Sequence, residues 1–215
     1  MLLLPSMMCA DFSRLGEEVD ELCAAGVDGL HLDVMDSHFV PNFGLGLGDV
    51  EAICRRATVP CDVHLMADGA DVLIDLFAQA GVQIMYVHPE GERTINSTLL
   101  KIARLGARPG IVVDPGVSFS AVEASLPVVD YVLLMTVNPG FAGQKYLEYC
   151  SPKIAQFAEA KQRYGYKLII DGACSPEVIR TAAGLGADGA VLGTSALFGK
   201  GRPYAELVAE LRKAA

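Results

Sequence analysis

The stretch Ala25-Gly26-Val27-Asp28-Gly29-Leu30-His31-Leu32-Asp33-Val34-Met35 decides the fold. Upstream of it, Phe12–Ala25 carries apolar residues at Phe12, Leu15, Val19, Leu22 and Cys23, spaced by three and four, which predicts an amphipathic helix. Gly26 allows the left-handed conformation that stops such a helix. Gly29–Met35 then reads as a short strand. The same glycine-and-turn junction returns at Ala80-Gly81-Val82-Gln83 and at Leu185-Gly186-Ala187-Asp188, a faint repeat of about 27 residues.

Working outward, seven more strands are predicted, at Leu2–Met8, Cys61–Met66, Ile84–His88, Gly110–Asp114, Tyr131–Val137, Lys167–Asp171 and Gly189–Gly193. Helical periodicity marks Ala70–Ala80, Thr94–Leu105, Leu147–Tyr164 and Pro203–Ala214, with shorter helices near Glu51–Ala57 and Ser120–Leu126. Strands alternating with helices imply a parallel sheet with right-handed crossovers. Near-continuous apolar runs such as Tyr131-Val132-Leu133-Leu134-Met135 suit strands covered on both faces. An open doubly wound sheet is expected to carry a G-x-G-x-x-G turn after its first strand, and Ser6-Met7-Met8-Cys9-Ala10-Asp11 is not one. No linker-like stretch divides the chain. The expectation is a single (β/α)8 TIM barrel over residues 1–215.

Composition excludes several classes. Of 215 residues, 52% are hydrophobic and 20% charged, enough apolar surface for a full core. The balance of 17 Lys+Arg against 26 Asp+Glu gives a net charge of −9 and no basic stripe, so no nucleic-acid partner is expected. No apolar run approaches the ~18–20 residues of a membrane span. Leu2–Leu4 is broken by Pro5 and does not read as a signal peptide. The six cysteines are scattered with no C-x-x-C pair, which predicts free thiols and a cytoplasmic location.

In a barrel, the active site is built at the C-terminal ends of the strands. Alternation along His31-Leu32-Asp33-Val34-Met35 puts His31, Asp33 and Met35 on one face. Asp62-Val63-His64-Leu65-Met66 gives a second inward histidine, and Ile169-Ile170-Asp171 a second acid. Buried imidazoles and carboxylates are costly unless paired or bound to an ion. His31, Asp33, His64 and Asp171 therefore predict a mixed nitrogen/oxygen site for one divalent metal ion of the Zn, Fe, Mn or Co type.

Three glycine-rich turns follow strands six, seven and eight: Asn138-Pro139-Gly140-Phe141-Ala142-Gly143-Gln144, Gly172-Ala173-Cys174-Ser175 and Gly193-Thr194-Ser195. Backbone N–H groups in such turns cradle phosphate, and barrels often place phosphate after strands seven and eight. Met7, Met35, Met66 and Met135 fall near strand ends, as ordinary core filler or as a thioether lid over the site.

These residues carry a resemblance. The chain resembles the ribulose-phosphate 3-epimerase family along nearly its whole length, through Pro5-Ser6, His31-Leu32-Asp33-Val34-Met35-Asp36-Ser37-His38-Phe39-Val40-Pro41-Asn42, Asp62-Val63-His64-Leu65-Met66, His88-Pro89-Glu90, Val137–Gln144 and Asp171-Gly172. The resemblance implies a ribulose-phosphate-binding barrel with His31, Asp33, His64 and Asp171 on the metal. It further implies Asp33 and Asp171 as the acid/base pair, and substrate contacts at Ser6, His64, Gly140, Phe141, Ala142, Gly143, Gly172, Ala173, Gly193, Thr194 and Ser195. The implied partners are a phosphorylated ketose and further copies of the chain in a homo-oligomer. Ser37 and Ala173 stand where the family usually has glycine, and Gly44 where it commonly has threonine. Together with Gly193-Thr194-Ser195, these departures look closer to the D-allulose-6-phosphate 3-epimerase branch.

Exchanging a proton between the two faces of C3 needs two acid/base groups on opposite sides. The rival readings are a metal-dependent phosphosugar aldolase or decarboxylase and a non-catalytic phosphosugar-binding protein. The first needs one acid/base group and often a lysine near the metal, yet Lys167 sits at the start of its strand. The second has no need of two facing acids.

Overall fold

The computed structural model describes residues 1–214. Eight parallel strands alternate with eight helices: β1 (Leu2–Pro5), α1 (Leu15–Ala24), β2 (Leu30–Met35), α2 (Leu47–Arg56), β3 (Cys61–Met66), α3 (Ile74–Gln79), β4 (Ile84–Val87), α4 (Ile95–Arg104), β5 (Arg108–Val113), α5 (Phe119–Val122), β6 (Tyr131–Met135), α6 (Ser151–Tyr164), β7 (Lys167–Asp171), α7 (Pro176–Gly184), β8 (Gly189–Leu192) and α8 (Tyr204–Ala214). Strand order runs β1-β8-β7-β6-β5-β4-β3-β2. The last seam is closed by a parallel bridge between Ser6 and His31. Below it, Asp28 N–H donates to the Leu3 carbonyl at 3.1 Å while Leu3 N–H donates to Asp28 Oδ2 at 2.8 Å. The result is a nearly closed (β/α)8 barrel, as the alternation predicts.

The differences lie at element ends. β1 stops at Pro5, and Met7–Cys9 turn into a 3-10 helix rather than continuing to Met8. The predicted Phe12–Ala25 and Ala70–Ala80 helices each open with a separate 3-10 turn, at Phe12–Arg14 and Ala70–Val72. A 3-10 turn keeps nearly the same apolar spacing, so periodicity does not separate it from an α-helix. α2 starts earlier than predicted, at Leu47. α5 is one turn running into a 3-10 segment that contains Pro127.

One core lies between strands and helices, with Leu3, Leu32, Val63, Ile111 and Phe157 fully buried in it. A second fills the barrel interior, where Tyr86, Val112, Leu133, Met135, Ile169 and Val191 meet. Gly110 makes room for it: a Cβ there would overlap the Tyr86 ring, which also meets Tyr131 edge-on at 6.1 Å. The interior is apolar on the β5–β8 side and polar on the β2–β3 side. Register explains the polar half, since His31 pairs with Asp62, Asp33 with His64 and Met35 with Met66.

The six cysteines are free, as expected. No helix among the described residues is long and apolar enough to cross a membrane. Among the described residues, Ser37 (φ 64°) and Ala173 (φ 50°) are the non-glycine residues in the left-handed region. Each pays the Cβ–carbonyl crowding of that region. Gly44 has another reason: a Cβ there would overlap the Asp33 carbonyl oxygen.

Two substitutions test this packing. Gly110→Ala should lower unfolding free energy by about 2 kcal/mol through overpacking against Tyr86. Ser37→Gly should raise it by roughly 1 kcal/mol by relieving the backbone. Denaturant unfolding reads both, and an unchanged midpoint for Gly110→Ala contradicts the packing described.

Candidate active site

The C-terminal mouth of the barrel holds an open cleft of about 580 Å³, counting its solvent-filled entrance. At its base, strands β2, β3 and β7 aim four side chains at one point. His31 Nε2 lies 3.3 Å from Asp33 Oδ1 and 3.7 Å from Asp171 Oδ2. His64 Nδ1 lies 3.3 Å and 3.6 Å from the same two oxygens. All four ligand atoms fall within 4.8 Å of one another. The sequence reading named these four, and the structure brings all of them together.

Both nitrogens are fully buried and make no hydrogen bond. Buried polar atoms without partners are rare and call for an explanation. Two unpartnered imidazole nitrogens converging with two carboxylate oxygens fit a divalent cation of borderline softness. The far sides of the rings are already held: His31 Nδ1 is 2.5 Å from Asp62 Oδ1, and His64 Nε2 is 2.8 Å from His88 Nε2. Such outer contacts fix the orientation of ligating histidines.

Electrostatics agree with this arrangement. Burial pushes His31 and His64 down, but the carboxylates around them win and hold both above the usual imidazole range. Burial likewise raises Asp33, and the His31 and His64 imidazoles outweigh it and bring it below its ordinary value. Burial raises Asp62. His88, buried beside His64, is pushed down to about 4. The cluster thus draws positive charge, as protons or as a cation.

Above this base, Ser6 Oγ donates to Asp33 Oδ2 at 2.5 Å, so both Asp33 oxygens are engaged. Asp33, His64, Asp171, Ser6, Gly140, Phe141, Ala142, Gly143, Gly172, Ala173, Gly193, Thr194 and Ser195 all line the cleft. His31 lies beneath it. The methionine expectation is corrected in part: Met35, Met66 and Met135 line the cleft, whereas Met7 is buried between sheet and helices and its neighbour Met8 takes the lining position. Gly172 (φ 115°) lets β7 turn sharply, and a Cβ there would overlap Val137. Asn42 Nδ2 donates to the Gly140 carbonyl at 2.7 Å, tying the loop after β2 to the turn after β6. Gly44, invoked with Ala173 for substrate choice, is absent from the lining. Its smallness serves the approach to Asp33.

Three residues escaped the sequence reading. Asp62 shares the inward phase of His64 and was legible from the same alternation. His88 and Asp114 lie one step past β4 and β5, in phase with inward Tyr86 and Val112. Lys167 is exposed at the opposite end of β7, as the argument against a metal-and-lysine aldolase expects.

The model of the Ribulose-phosphate 3 epimerase family matches residues 2–198. The Ribulose-phosphate 3-epimerase of Aquifex aeolicus (strain VF5) is 42% identical over 200 residues, covering 92% of this chain and 90% of that protein. The Ribulose-phosphate 3-epimerase of Escherichia coli (strain K12) is 36% identical over 214 residues, covering 98% and 94%. Among solved structures, N-(5'-phosphoribosyl)anthranilate isomerase from Pyrococcus furiosus superposes with a TM-score of 0.68 at 15% identity, covering 100% of this chain and 98% of that one, a likeness of fold alone. A barrel whose mouth gathers two histidines and two aspartates, matched by that family over residues 2–198, belongs to the ribulose-phosphate 3-epimerase family and is an isomerase of the epimerase class.

Proposed function

We propose that the protein interconverts D-ribulose 5-phosphate and D-xylulose 5-phosphate by proton exchange at C3, with one divalent metal ion held by His31, Asp33, His64 and Asp171. The observation that carries this reading is the pair Asp33 and Asp171, two carboxylates from β2 and β7 that border one cleft. The names of the curated relatives support the pentulose. Zinc, iron, manganese and cobalt all suit two imidazoles and two carboxylates.

Inverting C3 requires that one group take the proton from one face while another returns a proton to the other. Asp33 and Asp171 are the two acids at the base of the cleft, on strands far apart in the sheet order. One is the base and the other, protonated, the acid, and the roles exchange in the reverse direction. Ser6 holds Asp33 by its Oδ2 and so fixes the direction in which that carboxylate faces. His31, Asp33, His64 and Asp171 would hold a divalent ion that, when bound, would offset the negative charge developing at the C2 oxygen. Met35, Met66 and Met135 cover the reacting carbons with side chains that offer no exchangeable proton and exclude water. The turns at Gly172-Ala173 and Gly193-Thr194-Ser195 receive the phosphate, and that anchor sets C3 between the acids.

A hexulose 6-phosphate is the second reading, favoured by the Ala173 methyl and Thr194 in the cleft where the family pattern differs. One hydroxymethylene is worth only about 1–3 kcal/mol of discrimination by fit, so some cross-reaction is expected. With Gly44 outside the lining, less in the chain favours the longer sugar.

Three outcomes check the proposal. Turnover in deuterium oxide should place deuterium at C3 of the product, and retention of the substrate hydrogen there contradicts two-carboxylate exchange. Asp33→Asn and Asp171→Asn should each lower kcat by about a hundredfold or more, with metal content measured in each variant so that a lost ion is not read as lost acid/base chemistry. For the substrate, kcat/KM on D-ribulose 5-phosphate should exceed that on D-allulose 6-phosphate by about tenfold or more, which is ~1.4 kcal/mol. The reverse preference assigns the protein to the six-carbon sugar, and no activity on either overturns the epimerase reading.

A further inference from the structure

Directly behind His64 lie two groups that the reaction does not use. His88, at the start of the turn after β4, is 1% exposed, and its Nε2 sits 2.8 Å from His64 Nε2 with the ring planes 21° apart. The other nitrogen, His88 Nδ1, lies 3.2 Å from Asp114 Oδ1. The contact is one of charge and proximity: neither atom makes a hydrogen bond, to the other or to any third group. The surroundings hold them in place. Phe39 packs on the His88 ring at 4.5 Å, and Lys153 Nζ donates to the carbonyls of Asp114, Pro115 and Val117, pinning the loop that carries Asp114.

Two imidazole nitrogens at hydrogen-bond distance share one proton, so one ring donates and the other accepts. For His64 Nδ1 to hold a cation it must carry no proton. A neutral His64 then has its proton on Nε2 and donates to His88 Nε2. His88, by accepting there, must carry its own proton on Nδ1, which faces Asp114. The Asp114 carboxylate, 3.2 Å away and unable to donate, favours a proton on that nitrogen by its charge. Each proton position dictates the next.

We propose that His88 and Asp114 are positioning residues that hold His64 in its Nε2–H form and so keep His64 Nδ1 open toward the cation. The inference rests on the reading that the His31/Asp33/His64/Asp171 cluster binds a divalent ion. It goes beyond that reading by assigning work to two residues that touch neither ion nor substrate.

A competing use of the same residues is present in the geometry. His88, Glu90 and Asp114 also offer three ligand atoms within 4.8 Å of one another, as a second cation site would. For His88 Nδ1 to ligate, its proton would move to Nε2 and face the Nε2–H of His64. With neutral rings the two sites exclude each other. The four-residue cluster has more ligands and the deeper burial, so it governs the proton arrangement.

The test uses the full chain labelled with ¹⁵N at histidine. In the Zn²⁺-loaded protein, NMR should show His64 protonated on Nε2 and His88 on Nδ1, with one zinc per chain. A His88 protonated on Nε2, or a second zinc held at His88, overturns the inference. Zinc affinity, measured by competition with a chromophoric chelator, should fall about ten- to a hundredfold in His88→Leu, which removes the acceptor. In His88→Gln, whose amide oxygen restores an acceptor, it should stay within about threefold of the parent. A folded His88→Leu with unchanged affinity overturns the inference; if that variant does not fold, the tautomers of the parent protein decide. A parent protein that takes up no zinc contradicts the metal reading itself, and the His88 tautomer read on the metal-free protein then separates the two failures.

Discussion

Four atoms, His31 Nε2, His64 Nδ1, Asp33 Oδ1 and Asp171 Oδ2, converge at the base of the barrel mouth, and the rest of the structure is arranged around them. Burying two imidazoles and two carboxylates in a protein interior is unfavourable unless each finds a charge or hydrogen-bond partner. The chain supplies partners only on the outer sides of the group, through Asp62, His88 and Ser6. The inner sides face one another. A divalent ion held by the four would satisfy them all at once, whereas protons would satisfy them only as ion pairs.

That requirement divides the barrel. On the β5–β8 side, Leu133, Ile169 and Val191 pack against Tyr86 as an ordinary apolar interior. On the β2–β3 side the inward positions are charged, with stability coming instead from the covering helices, where Leu22, Val50 and Ile53 are fully buried. The methionines stand between these halves and solvent. Met35 and Met66 pack with Val40 as a small apolar cluster over the polar base. The same lining that completes the fold covers Asp33, and in the proposed reaction it would let the two carboxylates exchange a proton away from bulk water.

Much of this was legible in the sequence because alternation in a strand is a hard geometric rule. Once Gly29–Met35 and Cys61–Met66 were assigned as strands, the facing of His31, Asp33 and His64 followed. Asp62 obeys the same rule, but its carboxylate meets the outer His31 Nδ1 instead of the centre of the cluster, a distinction that alternation does not make. His88 and Asp114 were harder: each lies one residue past its strand, and the 2.8 Å contact that gives His88 meaning joins β3 to β4 across residues 24 apart in sequence. Gly44 is set by a local reason that the sequence does not display: the Asp33 carbonyl fills the space a Cβ would take. The 3-10 turns that open several helices escaped because their apolar spacing matches that of the helices they precede.

The most direct measurement of the central claim is X-ray absorption at the metal edge, on protein purified without chelator. The account predicts about one divalent ion per chain with nitrogen and oxygen donors only, including the scattering signature of two imidazoles. Fully active protein without a bound ion, or an ion ligated by the sulfurs of Met35, Met66 or Cys174 at the mouth, would contradict it.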